Sequence, residues 1–132
     1  MSSDGESVNM ANERRKILDG TYPSRIIEGR QRKHIEGTRE FEQNREKMKR
    51  YGSNPSILTE DAQTIVDTHK GTGRIYFVRN SPDYPREDID LGYIAGRTWS
   101  KPLGEYVDTS VVTISYSKTG AHVFPNDAER MK

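Results

Sequence analysis

The sequence predicts an α+β fold, with N-terminal helices packed on one face of a curved antiparallel sheet of about four strands. Three observations predict it. Strong signals are helical up to about residue 70, the apolar period changes to two from Gly73 onward, and the last strands are joined by a tight glycine-containing loop.

The elements follow in order. Residues 1–8, MSSDGESV, read as a flexible lead, and residues 9–132 as one domain. A short helix over 9–18 has Asn9 as its candidate N-cap, with Met10 and Ile17 sharing a face. Tyr22-Pro23-Ser24 breaks regular structure, and the apolar pair Ile26-Ile27 leads into RQRKHIEGT at 30–38. Thr38 caps a helix over about 39–51, where Phe41, Met48 and Tyr51 form a narrow apolar face, and Gly52 stops it. Ser53-Asn54-Pro55 is a loop. Thr59 caps a third helix over about 60–70, with Ala62, Ile65, Val66 and His69 on its inner stripe and Gly71 at its exit. Strands are expected at Ile75–Val78, Leu91–Gly96, 109–117 and 121–125, with loops at 80–85 and 101–104.

Composition bounds the function. The chain has 132 residues, 31% of them apolar and 31% charged, enough for one domain with a modest core. Cysteine is absent, which excludes disulfides, thiolate metal sites and a thiol nucleophile. No apolar run reaches membrane-spanning length and no apolar signal segment follows Met1, so an exported form is expected to travel within something larger or by a signal-independent route. The net charge of +1 is unevenly spread: residues 25–50 hold nine Lys/Arg against five Asp/Glu, and residues 81–110 hold three against six. The basic segment can meet phosphate and the acidic one can form a rim.

Chemistry concentrates at the histidines. His69, on the apolar stripe of a helix near its C-terminus, reads as a packed or dipole-matched residue. His122 alternates with Phe124 after a tight hairpin, opposite a strand whose Thr113, Ser115 and Ser117 share a face. Alone it is a strand histidine on an exposed sheet face. Taken with His34 and its neighbour Lys33, it suits phosphodiester transfer through a ribose 2′-OH, which needs a base, an acid and a cation, the last from Lys33 or Lys118. Such a reaction needs no metal, because RNA carries its own nucleophile. Two histidines without a strong third ligand argue against zinc, and no HExxH, GxxxxGK[ST], GxGxxG or GxSxG motif is present. Gly71-Thr72-Gly73 is a lone GxG that reads as a helix exit.

The run GRQRKHIEGT, then NPSILT at 54–59, GTG at 71–73 and ISYSKTGAHVFP at 114–125, resembles the polymorphic-toxin type 50 family over about residues 15–125. The resemblance implies a ribonuclease of the barnase–EndoU–colicin–RelE superfold, carried at the end of a larger secreted bacterial toxin or in a phage particle. It would act in a target bacterium's cytoplasm, in contact-dependent inhibition among other settings, and be held in check by a cognate immunity protein. The resemblance carries family positions onto Lys33, His34, Thr38, Tyr116, Ser117, Lys118 and His122. With the residue chemistry above, the expectation is catalysis by Lys33, His34, Ser115, Ser117 and His122, and RNA contacts from Arg30, Arg32, Thr38, Tyr116 and Lys118, with no metal or other cofactor, tRNA as a favoured substrate and a 2′,3′-cyclic phosphate product. The order of acid and base between His34 and His122 stays open. Ser115 stands where the family pattern has histidine. That departure supports an alternative, a catalytically inactive RNA-binding or virion-associated module of the same fold. A DNA-binding domain lacks a helix-turn-helix or basic-helix signature.

Overall fold

The computed structural model describes residues 6–132, so the first five residues of the expected lead lie outside the described residues. The α+β expectation holds, but the described chain carries two antiparallel sheets rather than one. It contains α1 (Val8–Leu18), α2 (Glu28–Gln31), a 3-10 turn (Arg32–His34), α3 (Arg39–Lys49), β1 (Ile57–Leu58) and α4 (Ala62–His69). These are followed by β2 (Arg74–Val78), β3 (Ser81–Asp90), β4 (Gly96–Ser100), β5 (Glu105–Thr109), β6 (Val111–Tyr116) and β7 (Ala121–Pro125), and a closing 3-10 turn at Ala128–Met131. The larger sheet runs β2-β3-β6-β7 and the smaller β1-β4-β5.

Side-chain oxygens hold the helix starts, each such cap worth about 1 kcal/mol. Thr38 accepts from the Phe41 amide as its position predicts. Ser7 and Asp61, not Asn9 and Thr59, cap α1 and α4. The reason at α4 is that Asp61 accepts both the amide and the hydroxyl of Thr64, whereas the Thr59 hydroxyl donates to the Ala95 carbonyl. α1 and α4 cover one face of the larger sheet. Ile17, Ile65 and Val66 pack there with Ile75, Ile89, Val112, Ile114 and Val123 in one buried cluster.

Within that core sits the Glu87 carboxylate, fully buried. The amides of Gly71 and Gly73 donate to it at 3.0 and 2.7 Å, and the Tyr116 hydroxyl at 2.8 Å. The GTG segment therefore leaves α4 and at the same time cradles the chain's own carboxylate, as a buried charge requires. Residues 80–85, expected as a loop, are mostly strand: they are the start of β3, where Ser81 pairs with Val78 of β2, and β3 pairs on both sides further along, at Arg86–Asp88. Of residues 91–96, expected as a strand, 91–95 instead form the bend leading into β4, which starts at Gly96, with Gly92 at φ +80°.

The backbone then delivers the N-terminal segment to the edge of β7. Ile26 bridges Ala121 in parallel, Ile27 N–H donates to the Ala121 carbonyl and Ala121 N–H donates to Arg25. Glycine is needed at position 120, because a Cβ there would lie 2.4 Å from the Arg25 carbonyl oxygen. Five residues past Ile26, buried Gln31 clamps Val123 with both ends of its amide, each at 2.7 Å. The next turn is Arg32–His34, which fixes Lys33 and His34 beside β7.

Candidate active site

The second face of the larger sheet is polar, and its strands align in rungs. Tyr76 pairs with Arg86, Arg86 with Ser115, and Ser115 with His122, giving one rung across four strands. The neighbouring rung is Arg74, Asp88, Thr113 and Phe124. Because side chains alternate along a strand, all eight project to the same face.

His34 closes over the β7 end of both rungs. Its ring stacks on Phe124 at 5.2 Å and 24°, and on His122 at 6.1 Å and 12° between planes. Nδ1 of His34 lies 3.1 Å from both the Ser56 carbonyl oxygen and Ser56 Oγ. A carbonyl can only accept, so Nδ1 carries the proton in the neutral ring and Nε2 presents a lone pair, an assignment made from the hydrogen-bond network.

Burial depresses both imidazoles. His34 falls to about 4, chiefly through desolvation, opposed by the Ser56 bond and helped by the Lys33 charge. His122 also falls to about 4, through desolvation first, then the charges of His34, Arg30, Arg86 and Lys33. Three cations thus stand close enough to act on His122. The Arg86 guanidinium lies 5.6 Å from the centre of the Phe124 ring. Its Nε and the Nδ1 of His122 are both buried without a hydrogen-bond partner among the described residues. Orphaned polar atoms of this kind are uncommon in folded chains and ask for an explanation. No group of three or more His, Asp or Glu side chains is placed to hold a metal ion among the described residues.

Lys33, His34, Ser115 and His122 of the expected catalytic set therefore meet, with Arg30 beside them. The others go elsewhere. Ser117 closes the hairpin by donating to the Gly120 carbonyl at 2.8 Å. Tyr116 lies buried on the opposite face, bonded to Glu87, and burial raises its hydroxyl far above the ordinary range. Thr38 caps α3 and donates to the Arg32 and Ile35 carbonyls. Arg32 pairs with Glu40 at 2.8 Å. Lys118 is exposed in the hairpin loop. Arg86 and Ser56 are the residues that sequence reasoning missed. Arg86 fell in a stretch taken as acidic rim, and only the β3–β6 register reveals it. Ser56 was legible as part of NPSILT but carried no assigned role.

The fold and site define a small α+β domain of helices and two antiparallel sheets, with two imidazoles and several cations gathered on one sheet face. The model of the bacterial toxin 50 family matches residues 26–125, from the Ile26 bridge to the end of β7, and the chain belongs to that family. It is a bacterial toxin domain. No curated protein matches the chain. No helix among the described residues is long and apolar enough to cross a membrane.

Proposed function

We propose that this domain is a metal-independent endoribonuclease that cleaves RNA, tRNA foremost, by 2′-OH transesterification. The observation that carries the reading is the stacked His34–His122 pair with Arg30, Lys33 and Arg86 around it and two buried polar atoms left without partners. A phosphodiester seated beside the ring pair would supply acceptors for those atoms and an anion for those cations.

The tautomer supports one assignment of roles. His34 Nε2, with its lone pair free, takes the proton from the 2′-OH as O2′ bonds to phosphorus. His122 gives a proton to O5′ as the P–O5′ bond breaks, leaving a 2′,3′-cyclic phosphate and a 5′-hydroxyl. Arg86 and Lys33 stabilise charge on the non-bridging oxygens in a site largely withdrawn from water, and Ser115 lies between Arg86 and His122 to orient phosphate or ribose. With both rings near pKa 4 in the free protein, His122 gains its proton when the phosphate anion enters and offsets the desolvation. Ser115 in place of histidine is compatible with activity on this reading, because His34 and His122 already fill both proton roles.

The polar face and the helical segment before it agree with the barnase–EndoU–colicin–RelE superfold. The domain would be delivered within a larger toxin or particle, act in the cytoplasm of a competing bacterium, and require a cognate immunity protein that covers the basic segment 25–50. The assignment of roles is tested with a ribonucleotide phosphodiester bearing a p-nitrophenolate leaving group. That group needs no acid, so His122→Ala keeps most of its activity on it while losing at least a hundredfold on RNA; His34→Ala loses both. Equal losses in the two variants on both substrates would overturn the assignment.

A further inference from the structure

A cleft of about 250 Å³ opens beside the histidine pair, between the NPS segment, β4 and the end of β7. His34 and Phe124 belong to it as well as to the stacked group, so the cleft borders the ring pair beside which the phosphate is proposed to sit. Trp99 lines it, and the indole Nε1 is buried without a hydrogen-bond partner, the third such side-chain atom among the described residues. Ser53, Asn54 and Thr98 also line it, and their side chains make no hydrogen bond among the described residues.

The volume is below the roughly 300–1,000 Å³ of a site for a drug-sized ligand. It suits one flat heterocycle rather than a peptide or a helix. Aromatic walls offer a base its π-face, and the uncommitted hydroxyl and amide groups offer hydrogen bonds to its edge. We infer that this cleft is a nucleobase subsite, holding one unstacked base adjacent to the scissile phosphate and reading it through Asn54 and its neighbours. The inference rests on the ribonuclease reading for the position of the phosphate. It narrows the substrate class to RNA that is single-stranded or looped at the cleaved nucleotide, because a base inside an A-form duplex cannot turn its face to a protein ring. It also gives the NPS segment two tasks: Ser56 orients His34, and Asn54 meets the base.

Trp99 is the chain's single tryptophan, so its fluorescence reports the cleft without any cleavage. The experiment titrates the intact protein with the four nucleoside 3′-monophosphates and with inorganic phosphate. A saturable fluorescence change is expected with nucleotides and not with phosphate, with one base bound roughly tenfold more tightly than the weakest. Asn54→Ala is expected to level the four affinities. Nucleotides that act no differently from phosphate, or four equal affinities in the unaltered protein, would overturn the subsite. Base-selective binding by a protein that leaves RNA intact would keep the subsite and remove the nuclease. RNA cleavage after all four bases alike, with no fluorescence change, would remove the subsite and keep the nuclease.

Discussion

Two adjacent rungs on one sheet face differ in how their polar groups are satisfied. In the Arg74–Asp88–Thr113–Phe124 rung, the fully buried Asp88 carboxylate accepts from Thr113 Oγ1 at 2.7 Å, Tyr76 Oη at 2.8 Å, Arg130 at 2.8 Å and Arg74 at 3.3 Å. Asn126 completes the group by donating to Thr113 at 2.9 Å. In the Tyr76–Arg86–Ser115–His122 rung, two residues along each strand, Arg86 Nε and His122 Nδ1 have no partner among the described residues. Both rungs hold buried or half-buried polar groups, yet only one is complete among the described residues. The closed rung fastens the C-terminal turn to the sheet. The open one, on the function proposed above, is the place for a phosphodiester.

The sharpest way to break that comparison is to remove one charge from each rung. Asp88→Ala leaves Arg130, Tyr76 and Thr113 without their acceptor and is expected to cost roughly 3 kcal/mol of stability, read as a lower urea midpoint at unchanged slope. Arg86→Ala is expected to change stability by about 1 kcal/mol or less, its ring contact with Phe124 being the main loss, and to lower kcat/KM on RNA roughly a hundredfold. If Arg86→Ala unfolds the protein as readily as Asp88→Ala, the distinction between the rungs fails.

A smaller effect sharpens it. His34 and His122 have folded pKa values of about 4 against 6.5 in an unfolded chain. Between those values the unfolded chain binds more protons, so stability is full above pH 6.5 and is lost as pH falls towards 4. Melting temperature is expected to drop across that window, and His122→Phe to make the drop shallower. An unchanged slope in the variant would mean that His122 is not held neutral by its surroundings.

How much of this was legible depends on where satisfaction is local. Thr38 as a cap, Gly71 as a helix exit and the 121–125 strand were readable because each depends on neighbours in sequence. β3 was not. Its Pro82, Pro85 and run of acids read as a loop, and a central strand accepts Glu87 and Asp88 only because Gly71, Gly73, Tyr116 and Arg130, from three other segments, supply donors. The two-residue β1 and the smaller sheet were missed for the same reason, since neither has a pattern of its own. Of the candidate site, Lys33, His34, Ser115 and His122 were found from residue chemistry and the alternation of β6 and β7. Tyr116 was assigned to the site from its place in a motif and Ser117 from the motif and the strand alternation, whereas packing gives one to the core and the other to a turn. Arg86 could be found only once β3 was in register with β6.

The central claim, that the paired imidazoles cut RNA, is tested most directly by incubating the purified domain with total tRNA in EDTA and mapping the ends. Discrete cleavage with 2′,3′-cyclic phosphate termini is predicted, lost at least a hundredfold in His34→Ala and in His122→Ala. Intact tRNA, or cleavage that survives in both variants, would contradict it.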